Sequence, residues 1–353
     1  MDNSYFIYSN KNLEIERFHL CSWEFKNGTA LIEIGCEISS ETLPKAGNSI
    51  EAEIHIPWLK SQNETTDLFS RLKEPANSKF IFNDSVVNTH SFDGGRGVLG
   101  VLHEFQSREP LCILPVTPEP NYDKSNIKIK LDLSAYNNHG LNANIYFRFS
   151  ITANISSLSI RKKGIGRSTI IYDLKINEGR NLPDDLFSQL QNKQLCAIKY
   201  CFCFNIVPNS YDLSFFDSSS LKNIRTLEYD AFNRYLEDRR VQKDQLMVVF
   251  NKKKYPESFA FFSIFIKERI GAGQFALAIL INLISGILLF LPNYRSQITS
   301  SIISRSFWQN LPIEVYIAIL IGVGLIAYFI WPSIISRVYS WKTWLVSKKK
   351  KNK

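Results

Sequence analysis

Histidine, cysteine and methionine are scarce, with five, six and two residues in a chain of 353. The cysteines (Cys21, Cys36, Cys112, Cys196, Cys201, Cys203) are scattered without framework spacing. That excludes a disulfide-stapled scaffold and reads as free thiols in a reducing compartment. Cys201 and Cys203 share one strand face, but two thiols without a further ligand make a poor zinc site. His55 stands beside Glu51 and Glu53 on the polar side of an alternating segment, which reads as a solvated face. There is no HExxH, no nucleophile elbow and no P-loop. Two stretches are glycine-rich, Asp93–Gly97 and Arg161–Arg167. The second offers backbone donors and cations to a phosphate, yet it lacks the P-loop spacing and precedes a strand, so it reads as a loop. No catalytic residue, metal or cofactor is expected, and the chain is read as a non-enzyme. Its opening, Met1–Tyr5, shows no basic stretch leading into an apolar one, so no cleavable signal peptide is expected.

Charge is unevenly spread. The chain carries 42 Lys/Arg against 33 Asp/Glu, net +9. From Arg295 onward nine of the basic residues face Glu314 alone, which leaves 33 basic and 32 acidic residues before that point. The larger part is thus nearly neutral, so the net charge is weak evidence for nucleic acid. Lys348, Lys349, Lys350, Lys351 and Lys353 form a basic tail suited to an anionic lipid surface.

Most of the chain alternates. Ala30, Ile32, Ile34, Cys36 and Ile38 interleave with Leu31, Glu33, Gly35 and Glu37. Ile50, Ala52, Ile54 and Ile56 repeat the pattern, as do 127–133, 145–151, 170–176 and 198–206. Period two predicts half-buried strands. Asn137–Gly140 predicts a turn that joins 127–133 and 145–151 into a hairpin, and 246–250 with 259–266 reads as a closing hairpin. Further strands are predicted over 80–82, 97–105 and 111–116. Short helices are predicted over 65–73 and 183–191, with a longer amphipathic one over 219–237. The turn-rich stretch Pro118–Ser125 divides the β part into 1–120 and 121–268, as one domain or two sandwich-like halves.

Two long apolar runs follow, 270–291 and 313–335, each of a length that spans a roughly 30 Å hydrocarbon core as a helix. Lys/Arg flank them on the outside while the connection 292–312 has only Arg295 and Arg305. The positive-inside rule then predicts a transmembrane hairpin over 269–336, with cytoplasmic N- and C-termini and a cytoplasmic tail over 337–353. The expected fold class is a mainly β, sandwich-like cytoplasmic part with a few short helices plus this C-terminal hairpin. In the first span Gly271, Gln274, Ala278, Asn282 and Ser285 form a small and polar stripe. In the second, Ala318 and Gly322 allow close helix approach. The stripe either packs helices together or lines a polar path in a homo-oligomer.

A β module followed by two spans, with Gln274, Asn282 and Ser285 in the first, resembles the two-span membrane effectors of bacterial antiviral systems. Those include effectors encoded beside retron reverse transcriptases. The resemblance implies an abortive-infection effector of the cell inner membrane, whose cytoplasmic module senses a signal and whose hairpin disrupts the bilayer. It also implies partnership with a reverse transcriptase and its RNA–DNA product. Two other readings stay open: a non-enzymatic membrane anchor or scaffold that binds a cytoplasmic protein, and a membrane-tethered enzyme whose site forms only in the fold.

Overall fold

The computed structural model describes residues 3–43, 48–94, 97–164, 167–243, 245–256, 258–268, 272–295, 315–324 and 327. The chain divides into two compact units, Met1–Lys163 with Ser168–Lys267, and Gly164–Arg167 with Glu268–Lys353.

In the first unit the alternating segments build two sheets. A nine-stranded sheet runs in the order Asp212–Phe216, Ala260–Glu268, Arg167–Ile176, Ser4–Ser9, Ser49–His55, Asn126–Asp132 and Thr117–Asn121, with two short strands off this path. A ten-stranded sheet begins with Leu221–Thr226, Leu246–Lys254, Ala197–Pro208, Glu14–Glu24 and Thr29–Ile38. It continues through Asn144–Asn154, Leu111–Ile113, Gly97–Phe105 and Val86–Gly94. Each sheet takes strands from both sides of Pro118–Ser125. One core lies between them, where Tyr5, Ile54, Ile129 and Leu174 of the first sheet join Phe18, Ile34, Phe147 and Cys201 of the second. Fully burying one such Ile, Leu or Phe side chain contributes about 1.5–3 kcal/mol.

Alternation marks the face of a strand but not its partner, and both predicted hairpins fail for that reason. Asn126–Asp132 pairs with Ser49–His55 in the nine-stranded sheet. After the short helix Ser134–Asn138, Asn144–Asn154 joins Thr29–Ile38 in the other. Leu246–Lys254 and Ala260–Glu268 likewise lie in different sheets. The helix predicted over 219–237 is confined to Tyr229–Leu236. Ahead of it Leu221–Thr226 is an edge strand whose backbone pairs with Leu246–Lys254. Residues 80–82 close the helix Pro75–Phe82 instead of forming a strand. Proline at its first turn and the left-handed Asn83 after it are the ordinary helix start and stop.

The membrane expectation is corrected. In the second unit a helix forms over Ala272–Arg295, with side chains described over 275–289. Of the span predicted over 313–335, the described residues are 315–324 and 327, all helical. Among the described residues no helix is long and apolar enough to cross a membrane. The transmembrane hairpin in the fold class and the two-span inner-membrane placement with cytoplasmic termini therefore fall. What stands is a mainly β chain of two sheets with few helices.

Candidate ligand-binding site

The outer face of the ten-stranded sheet, turned away from the core, carries the chemistry. Three neighbouring strands set it up by register. Glu14–Glu24 runs parallel to Ala197–Pro208, with His19 opposite Phe202 and Cys21 opposite Phe204. Ala197–Pro208 runs antiparallel to Leu246–Lys254, placing Phe204 opposite Phe250 and Phe202 opposite Lys252. The edge strand Leu221–Thr226 adds Lys222, Asn223 and Arg225. Helices Pro75–Phe82 and Tyr229–Leu236 wall the opposite side with Phe80, Phe82 and Phe232. Together they enclose a cavity of about 580 Å³, within the 300–1,000 Å³ typical of ligand sites.

The floor is aromatic. Phe204 and Phe250 stack at 4.6 Å with 3° between planes, and Phe202 stacks on Phe250 at 6.0 Å and 7°. All three are only half-buried. His19 meets Phe202 edge-on at 4.9 Å, and Lys252 stands 5.3 Å from the Phe202 ring centre. Six cations line the space (Arg17, Arg108, Arg148, Lys222, Arg225, Lys252) and no carboxylate does. Three carboxylates reach them from behind or beside. Glu33 pairs with Arg148, Glu37 is shared by Arg17 at 3.5 Å and Arg108 at 2.8 Å, and Glu228 pairs with Arg225 at 2.9 Å. Three positive charges are left over, with Lys222 and Lys252 in no ion pair among the described residues.

Beside this floor lies a buried polar network. Glu33 is fully buried and accepts from Trp23 Nε1 at 2.8 Å, Arg148 Nε at 2.7 Å and the Tyr235 hydroxyl at 2.8 Å. Burial opposes the charge of Arg148, but the Glu33 carboxylate holds its guanidinium protonated well above the usual range. Arg148 also donates to the Tyr146 hydroxyl, which lies 2.9 Å from His19 Nδ1. Burial, then the neighbouring Arg148, Arg17 and Arg108, push the His19 imidazole well below its ordinary value, so it is neutral at pH 7. Burial pushes Tyr146 up to about 12. Gly35 makes the arrangement fit, because a Cβ there would stand 2.1 Å from the Tyr146 hydroxyl. Arg108 is the least satisfied member. Its guanidinium packs 5.1 Å from both Phe82 and Phe105, while Nε and Nη1 are buried without an acceptor.

Chemically, such a site offers cationic groups to an anion and aromatic carbon to an apolar or flat group. Its one thiol, Cys21, is driven well above its ordinary pKa by burial and by Glu33, so it is not a nucleophile at neutral pH.

The residues singled out from the sequence are placed elsewhere. Ala278, Asn282 and Ser285 are exposed on the helix Ala272–Arg295. Gly271, the Gln274 side chain and Lys348, Lys349, Lys350, Lys351 and Lys353 lie outside the described residues. Gly322 approaches the first helix, since a Cβ there would sit 3.9 Å from Leu280 Cδ1, and Ala318 is half-buried. Cys201 and Cys203 face the core, which turns the alternating Phe202 and Phe204 outward onto the cavity floor. That alternation was the available signal. His55 is buried at 8% exposure against Phe6, not solvated. Within Arg161–Arg167 the Gly164 amide is spent on the Arg167 carbonyl at 2.8 Å. Among the described residues no group of three His, Cys, Asp or Glu is arranged to hold a metal. No family model and no curated protein matches the chain.

Proposed function

We propose that the β unit is a non-catalytic binding module for a small polyanion. The observation that carries this reading is the imbalance in the cavity, where six cations meet three carboxylates and the surplus faces aromatic rings. Surplus charge in a concave, partly desolvated site is costly until an anion arrives, and it is strong once one does. The two Arg108 donors without acceptors add to the same demand.

The test is calorimetric titration of the full chain with two small polyanions, inorganic tripolyphosphate and adenosine triphosphate, at low and moderate salt. At least one should bind with one molecule per chain, and its affinity should fall as salt rises. Lys222→Gln with Lys252→Gln should weaken it tenfold or more while leaving the melting temperature nearly unchanged. Failure of both probes to bind, or binding indifferent to the double substitution, removes the reading.

A further inference from the structure

The cavity is more particular than its charge requires. Free phosphate or an acidic peptide would be served by cations alone, yet the floor is three near-parallel phenylalanine rings left half-exposed inside a polar rim. Leaving such rings uncovered forfeits hydrophobic stabilisation that a flat partner would restore. The cations are arranged around that floor. Lys252 stands at the Phe202 end, Lys222 and Arg225 come from the edge strand beside Phe250, and Arg17 and Arg108 lie toward the opposite side.

Resting on the polyanion reading above, we infer that the ligand is a nucleotide, its base packed on the half-exposed side of the Phe202, Phe204 and Phe250 stack and its phosphates held by cations of the rim. Aromatic faces take bases of any sequence because every base has a π-face, and guanidinium groups pair phosphate oxygens in two-pronged fashion. The volume of about 580 Å³ accommodates a small ligand. A long strand is disfavoured, because the residues before Arg295 are balanced at 33 basic to 32 acidic.

The experiment compares two triphosphates of similar charge on the full chain, adenosine triphosphate and inorganic tripolyphosphate, with a single-stranded oligothymidylate series alongside. The nucleotide should bind about tenfold or more tighter than tripolyphosphate, the margin expected of one base stacked on aromatic rings. Phe250→Leu, which keeps an apolar side chain at a half-buried position, should erase most of that margin, read as the ratio of the two affinities. Equal affinities, or a margin untouched by Phe250→Leu, would overturn the nucleotide assignment while the polyanion module stands. Affinity that climbs steadily with oligothymidylate length would also overturn it, in favour of a polymer. Absence of binding by every probe would sink both readings at once.

Discussion

The ten-stranded sheet has two faces made by the same strands and buried by different means. On the inner face Phe18, Leu20, Ile32, Ile34, Phe147 and Phe149 join an apolar core with the opposing sheet, crossed by a few polar contacts such as Asn205 to Ser263. On the outer face, one residue along in each strand, stand Arg17, His19, Glu33 and Arg148, with Phe202 and Phe204 beside them. Glu33 is as fully buried as Ile34 next to it, each at 0% exposure. The first is tolerated there only because three donors converge on its carboxylate. Apolar burial forgives small losses, while a buried charge network fails when any member is removed.

The largest effect should come from that network. Glu33→Leu leaves the Arg148 guanidinium buried and unpaired, and should cost about 3–5 kcal/mol in denaturant unfolding. Ile34→Val on the other face should cost about 0.5–1.5 kcal/mol. Adding Arg148→Met to Glu33→Leu should recover most of the loss. If the single and double variants unfold alike, charge pairing is not what distinguishes the faces.

Gly35 sharpens the contrast by size instead of charge. An added methyl would collide with Tyr146, so Gly35→Ala should cost about 1–3 kcal/mol from overpacking. Tyr146→Phe in the same chain should return part of it, since the hydroxyl is the nearest atom. A fully stable Gly35→Ala protein would mean that the outer face adjusts freely.

The smallest expected effect is a pH dependence. His19 is held neutral in the folded chain, below its ordinary value near 6.5. Its contribution is complete above about pH 6.5 and is lost as pH falls toward the folded value, because the unfolded chain takes up the proton first. The slope is at most about 1.4 kcal/mol per pH unit. Asp67, pushed up to about 6 by burial, acts in the opposite sense over a similar range. The difference between wild type and His19→Gln therefore isolates the histidine. Parallel stability curves from pH 7 to 5 would show that His19 titrates as it does in water.

What could be read from the sequence follows from this two-faced construction. The strands over 29–38, 50–56, 170–176 and 198–206 were legible because alternation survives whatever covers the second face. The cover itself was not legible. Glu33 and Glu37 look like solvent positions until the helices Pro75–Phe82 and Tyr229–Leu236 close over them, and those helices belong to segments 40 to 200 residues away. Sheet partners were lost for a similar reason, as with Asn126–Asp132 and Asn144–Asn154, adjacent in sequence yet assigned to opposite layers. The alternation of 198–206 sets Phe202 and Phe204 on the face opposite Cys201 and Cys203. Their meeting with Phe250 and His19 depends on register, which no local pattern encodes.

The parallel pairing of Glu14–Glu24 with Ala197–Pro208 also governs how the chain can be made. The early strand lies in the middle of its sheet, but its second neighbour is encoded some 180 residues later. Thr29–Ile38 can pair at once, being next in line. At about 5–20 residues per second of synthesis, the other edge stays bare for roughly 10–40 s. Closing so long a loop adds its entropy to the barrier, so the sandwich is expected to be a slow folder whose final step waits for its last third. A nascent chain ending before Ala197 presents Phe18, Leu20 and Trp23 on an unpaired strand, the kind of surface that other strands and chaperones seize.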